Sequence, residues 1–289
     1  MQRYQLPILH DPDIMELNLK SELFEFGSVT WVNKTDSTNV DLYNLARSQT
    51  PTTRRPWLLG THLQEKGRGR AGRTWQNKSG AHLMFSCAFD SFIAPRNLAG
   101  MAPTLGMYAT MALRKLIASE HHHSLTMKWP NDIMWQGAKL AGILVEVTRA
   151  GTARMSRDHH VIIAGIGINL SDARALSDSL ERRIADWSQI METDRTASSS
   201  APQITTSIAR SWYKCIQHVA SNGLQQLPEQ YATFDYLVGR QVYITDNNTQ
   251  TMSGIACGVN SSGALLVRTL QGMQTVHVGD VSVRPHERH

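Results

Sequence analysis

The sequence of 289 residues predicts a mixed helix-and-strand protein that carries a small all-β barrel at its C-terminal end. Three observations point there. Apolar runs of strand length, broken by polar turns, recur between residues 57 and 170. Between Asn97 and Glu120 the apolar residues instead return every three or four places, the spacing of a core-facing helix. From Gly239 onward the chain changes to short segments divided by DNN, NSSG and QG, the mark of a small antiparallel barrel.

The elements follow in chain order. Residues 1–27 form an N-terminal extension without a clear helical pattern, too short for a winged-helix DNA reader. SVTWVNKT (28–35) reads as a strand, and VDLYNLAR after it has helical spacing. Thr38 with Asp41 three places on fits a capping box, which makes Thr38 the expected N-cap. WLLGTHLQ (57–64) and HLMFSCAF (82–89) are strands. Leu98, Met101, Leu105, Tyr108, Ala112 and Leu116 line the helix of 97–120. LTMKWPND, IMW, KLAGILVEVT and HVIIAGIGINL are strands at the centre of a sheet. Residues 171–203 begin as an amphipathic helix and end as a Ser/Ala linker, and a second helix carries Ile204, Ile208, Trp212, Ile216 and Val219 on one face. QVYIT, TMSGIACGV, ALLVRT, MQTVHV and VSVR are the barrel strands. The domain boundary is placed near residue 236, giving a main domain of 28–236 and a barrel of 237–289.

Composition narrows the class. Hydrophobic residues make up 41% and charged residues 18%, enough apolar matter for a true core. No apolar run approaches the roughly 18 residues of a membrane helix, and the N-terminus lacks a secretory pattern. Cys87, Cys215 and Cys257 lie far apart and read as reduced thiols of a cytoplasmic protein. A net charge of +5 permits a polyanionic partner without requiring one.

Four stretches carry chemistry. GRGRAGRTW (67–75) sets arginines among glycines. Glycine lets the backbone approach a ligand, and the guanidinium fork matches carboxylate or phosphate. The same nonamer also suits a solvated basic loop or an RNA contact. KWPND (128–132) places Lys128 at the end of an apolar strand, where a fixed cation can offset two anions that must meet; a strand-ending surface lysine reads the same way. GIGIN (165–169) is a glycine turn or half of a nucleotide fingerprint, short of the full G-x-G-x-x-G. Ser37-Thr38-Asn39 is a helix cap or a set of donors and acceptors for a small polar ring. His121-His122-His123 is not read as a metal site.

In order and combination these stretches, with KLAGILVE after KWPND and GDVSVR in the final barrel, closely resemble the biotin protein ligases over residues 28–284. GRGR-x-GR paired with KWPND and KLAGILVE separates the chain from the related lipoate ligases, which lack that pair. Ala71 departs from the pattern, standing where many members have another basic residue.

The resemblance implies an α+β fold: a mixed sheet with flanking helices, like the core of class II aminoacyl-tRNA synthetases, with an SH3-like barrel. It implies a ligase that joins biotin to ATP as biotinyl-5'-adenylate and passes it to a lysine of a biotin carboxyl carrier protein. By the same resemblance, Ser37, Thr38, Asn39 and Gln64 bind biotin, and Gly67, Arg68, Gly69 and Arg70 form the loop that covers it. Gly165 and Ile168 line the pocket floor. Arg70 and Arg73 meet phosphate, Trp75 helps form the adenine site, and Lys128 bridges carboxylate and α-phosphate, making Lys128 and Arg70 the catalytic pair. Asn169 faces ATP phosphate or its magnesium, and Asp280 and Arg284 reach back toward the nucleotide. Magnesium enters with ATP, and no nucleic acid or membrane partner is implied. A lipoate-type acyl-adenylate ligase and an RNA-binding module are the other two readings.

Overall fold

The first regular element is a helix that the sequence pattern does not announce. α1 (Pro12–Glu22) has a proline in its first turn, where its missing N–H would have had no helical acceptor. It buries Met15 and Leu19, one turn apart, with Leu23 beyond them. Ile14 and Leu17 stay exposed, so its apolar residues miss a single stripe and the period is blurred. The protein is described by a computed structural model over residues 9–48, 54–149, 159–198, 200–246, 249–278 and 282–285.

β1 (Ser28–Thr35), α2 (Thr38–Arg47), β2 (Trp57–Gln64) and β3 (His82–Ser91) follow. The N-cap of α2 is Ser37, not Thr38. Thr38 lies inside the helix with its Oγ1 2.7 Å from Ser86 Oγ, and Asp41 accepts a hydrogen bond from Thr35 Oγ1, so the expected capping box does not form. The helix expected over 97–120 is shorter. A single turn, α3 (Pro95–Leu98), precedes α4 (Met101–Arg114). Then come β4 (Leu125–Lys128), β5 (Asp132–Trp135), β6 (Ala138–Arg149) and β7 (His160–Asn169). The amphipathic stretch after them divides into α5 (Ala173–Leu180) and α6 (Trp187–Thr193), and α7 (Ala201–Asn222) and α8 (Leu227–Ala232) close the main unit.

The seven strands pair in the order β1-β2-β3-β7-β6-β5-β4. Only β1 and β2 run parallel among these pairs. Because successive side chains alternate faces, β7 divides cleanly. Ile162, Ala164, Ile166 and Ile168 join the main core, while Val161 and Ile163 join a smaller cluster with Leu42 and Ala46 of α2. Trp212 of α7 is fully buried in the main core. It donates to the Leu105 carbonyl of α4 at 2.9 Å and its ring lies 5.8 Å from that of Phe85. One face of the sheet is therefore sealed by helices. The other is covered by α2 only in part, and the site opens beside it.

The last strands, β8 (Gln241–Asp246), β9 (Thr249–Val259), β10 (Leu265–Thr269), β11 (Gly272–Val276) and β12 (Ser282–Pro285), pair antiparallel in the order β11-β10-β9-β8-β12. Together the two units make an α+β protein. Trp129 Nε1 donates to the Gly263 carbonyl at 2.9 Å, which pins the β4–β5 turn to this small sheet.

Candidate active site

The open face of the sheet carries two rows of paired residues. Ser86, Gly165 and Leu144 stand side by side on β3, β7 and β6, and Met84, Gly167 and Gly142 form the next row. The glycines leave room that other groups fill. A methyl on Gly165 would stand 2.0 Å from Asn39 Oδ1, and one on Gly167 would stand 2.5 Å from Trp75 Cε2. The first row thus receives Asn39, and the second receives the indole of Trp75.

Around Asn39 lies a polar recess. Ser86 Oγ donates to Asn39 Oδ1 at 2.6 Å. Asn39 Nδ2 donates to the Leu144 carbonyl and, at 2.9 Å, to Glu146 Oε2. Gln64 Oε1 accepts from the Thr38 backbone N–H at 2.9 Å and from its hydroxyl at 3.3 Å. Ser37, Thr38 and Asn39 are all buried, so these groups are held in one arrangement before any ligand arrives.

The glycine-arginine stretch folds as a tight hairpin over the cleft. Arg68 pairs with Thr74, and the Gly69 N–H donates to the Arg73 carbonyl at 2.7 Å. Its tip turns through Ala71 and Gly72, both in the left-handed region at φ 53° and 69°. Gly67 must stay bare, because a methyl there would meet the Trp75 carbonyl at 2.7 Å. Two arginines tie the flap to the sheet side: Arg68 Nη1 lies 3.2 Å from Glu146 Oε1, and Arg70 Nη1 lies 3.2 Å from Asn131 Oδ1.

Lys128, at the end of β4, faces the same cleft. Its pairing partner Asp132 forms an ion pair with Lys139 at 2.5 Å, and the Lys139 ammonium sits 5.6 Å from the Trp75 ring. Burial pushes the Asp132 carboxyl up, but the charge and hydrogen bond of Lys139, with Lys128 and Arg182, outweigh it and hold the group below its ordinary range. Burial lowers the Lys139 ammonium below its ordinary value; Arg182 and Arg73 add to that and Asp132 opposes it. Burial likewise lowers His82, which meets Trp75 edge-on at 6.4 Å. The cleft has a volume of about 1550 Å³, and Arg68, Arg70, Arg73, Lys128 and Lys139 are among the cationic side chains that line it.

Of the residues expected here, Ser37, Thr38, Asn39, Gln64 and Gly165 line the recess end. Arg68, Gly69, Arg70, Arg73, Trp75 and Lys128 line the remainder. Gly67 does not line the cleft; its carbonyl accepts the Trp75 N–H at 2.9 Å across the two ends of the flap. Ile168, expected at the floor, points the other way: alternation along β7 sends it into the helix-covered core. Asn169 is buried and gives its amide to the carbonyls of Lys139 and Ala185, so it braces the β6–β7 end instead of lining the cleft. Asp280 lies outside the described residues, as does the side chain of Arg284 on β12. Ser86, Asn131, Asp132, Lys139 and Glu146 went unassigned from sequence. Asp132 and Lys139 stand inside the quoted KWPND and KLAGILVE, and Ser86 is a lone hydroxyl in the apolar run HLMFSCAF.

This fold and cleft define a class, and the comparisons with known proteins narrow it. A family model described as the biotin/lipoate A/B protein ligase family matches residues 31–169, and one described as the biotin protein ligase C terminal domain matches residues 237–284. Both units of the chain are thus similar to the biotin protein ligases. It is 27% identical over 276 residues to a biotin--[acetyl-CoA-carboxylase] ligase of Mycobacterium tuberculosis, covering 93% of this chain and 96% of that protein. It is 27% identical over 226 residues to the bifunctional ligase/repressor BirA of Escherichia coli, where the match takes in 78% of this chain but only 65% of BirA. Among solved structures, the biotin protein ligase of Aquifex aeolicus in complex with biotin and ATP superposes with a TM-score of 0.69 at 22% identity, over 90% of this chain and all of that one. Among the described residues, no helix is long and apolar enough to cross a membrane.

Proposed function

We propose that the protein activates biotin with ATP and transfers it to a lysine of a biotin carboxyl carrier protein in the cytoplasm. A biotin carboxylate oxygen attacks the α-phosphorus of ATP. The bond from that phosphorus to the β-phosphate bridge breaks, and pyrophosphate leaves. The carrier lysine, as free amine, then attacks the acyl carbon; the bond to AMP breaks and the amine loses a proton to solvent. Residues 28–236 supply the chemistry and 237–289 the accessory unit. Ser37, Thr38, Asn39 and Gln64 hold the polar ring, and Gly165 keeps the floor open. Arg70 and Lys128 draw the two anions together, with Arg73 on phosphate and Trp75 on the base. Magnesium arrives as part of the ATP substrate.

One observation carries the reading: a preformed polar recess, a flap with several arginines and Lys128 all border a single cleft. A cation fixed where two anions must meet lowers their repulsion most in the transition state, and a covering flap keeps water from a mixed anhydride. The C-terminal family match, specific to biotin protein ligases, favours biotin over lipoate. The test is exchange of labelled pyrophosphate into ATP with each acid. Biotin-dependent exchange is expected. Exchange with lipoate alone, or none together with salt-sensitive RNA binding, would overturn the proposal.

A further inference from the structure

We propose that Glu146 is a positioning residue that couples the biotin recess to the flap, holding Arg68 over the cleft through a carboxylate that Asn39 holds in turn. This rests on the ligase reading. Ser86 donates to Asn39 Oδ1 at 2.6 Å, which fixes the direction of the amide. The other end of that amide, Nδ2, then reaches Glu146 Oε2 at 2.9 Å. The second carboxylate oxygen, Oε1, receives Arg68 Nη1 at 3.2 Å. A continuous chain of contacts thus runs from the floor of the recess to the base of the flap. Glu146 stands on the open face of β6, two places along from Leu144 and across from Ile163.

Charge explains why the acid is tolerated. A carboxylate beside a site for two anions opposes their binding unless it is paired, and Arg68 pairs it. The pair is also fit for release. Arg68 keeps 47% and Glu146 21% of its side-chain surface in solvent, and such pairs contribute little, so the flap can reopen in each cycle. Any ring that draws on the Asn39 amide changes how firmly Glu146 is held, and through it the flap. Ligand in the recess is thereby sensed at Arg68 without the ligand touching Glu146.

Glu146→Gln keeps the shape and removes the charge. With biotin bound, tryptic cleavage at Arg70 and Arg73 should rise about fivefold over wild type, and loss of preformed adenylate from the enzyme should quicken to a similar extent. Fivefold corresponds to about 1 kcal/mol, within reach of such a pair. Biotin-dependent pyrophosphate exchange should persist. Arg68→Gln should give the same rise at Arg70 and Arg73, and the double variant should be no worse than either single one; a merely structural role for Glu146 would give additive losses. Wild-type cleavage and adenylate retention in Glu146→Gln, or additivity in the double variant, would overturn the coupling. Should Glu146→Gln fail to fold, an unchanged flap in Arg68→Gln would overturn it as well. A wild-type enzyme with no biotin-dependent exchange would instead sink the ligase reading and this proposal with it.

Discussion

Two glycines on one strand allow the division of the cleft to be tested. Gly165 and Gly167 both lie inside β7, paired on either side, and neither has the left-handed backbone that would itself demand glycine. Alanine at each should therefore act only through its methyl. At Gly165 that methyl stands 2.0 Å from Asn39 Oδ1 and 2.8 Å from Ser86 Oγ. Asn39 is 4% exposed and cannot move aside without breaking its bonds to Ser86, Leu144 and Glu146. Overpacking of this kind costs about 1–3 kcal/mol, and each displaced hydrogen bond roughly another 1 kcal/mol. Gly165→Ala should lose about 2–4 kcal/mol of stability and lower Tm by at least about 4 °C. With the recess disordered by about 2 kcal/mol, biotin Kd should rise about 30-fold. At Gly167 the methyl meets the Trp75 ring 2.5 Å away and should shift it, raising the KM for ATP while biotin Kd moves by less than about threefold. Calorimetric titration with biotin and initial rates against ATP separate the two. Equal effects of both variants on both ligands, or wild-type biotin binding by Gly165→Ala, would refute the assignment of the rows.

Lys128→Ala should lower the rate of biotin-dependent pyrophosphate exchange about 10²–10³-fold with Tm nearly unchanged, since Lys128 ends a strand at the border of the cleft; a rate within a few-fold of wild type would remove it from the chemistry. Asp132→Asn leaves the Lys139 ammonium without its carboxylate and should destabilise by about 3–5 kcal/mol near neutrality. Because the folded Asp132 carboxyl is held below its ordinary range, its stabilisation is complete above that range and is lost as pH falls through the depressed value. The gap between variant and wild type in urea unfolding should therefore narrow toward acid pH, and a gap that widens would contradict the sign. Trp212→Ala removes a fully buried indole, its ring contact with Phe85 and its bond to the Leu105 carbonyl, and should cost about 3–5 kcal/mol by urea unfolding.

The central sheet was legible in sequence because its strands are nearly pure apolar runs, and α7 because its apolar residues keep one stripe. α1 escaped notice since only Met15, Leu19 and Leu23 touch the core. The N-cap of α2 was misplaced by one residue because Thr38 has a stronger use: its hydroxyl meets Ser86, far away in sequence. For the site, the motifs identified which stretches carry chemistry but not which side chains face it. Ile168 is adjacent to Gly167 in a single motif yet lies on the opposite face, and only the pairing register decides that. Glu146 and Ser86 needed the same register, since each matters through a residue more than forty positions away.

The register also explains why floor and cover behave differently. The back of β7 is an unbroken row of Ile162, Ala164, Ile166 and Ile168 in the core, which fixes the positions of Gly165 and Gly167 to within the tolerance of a packed interior. The cover, by contrast, is held by a short backbone pairing and by side-chain contacts that include those of Arg68 with Glu146 and Arg70 with Asn131. Binding selectivity then belongs to the rigid floor, where a methyl is enough to displace Asn39. On the proposed ligase reading, turnover belongs to the cover, whose contacts must then be weak: a flap clamped by several kcal/mol would slow opening about tenfold for every 1.4 kcal/mol. A variant that tightens the flap should therefore retain adenylate longer and transfer biotin more slowly.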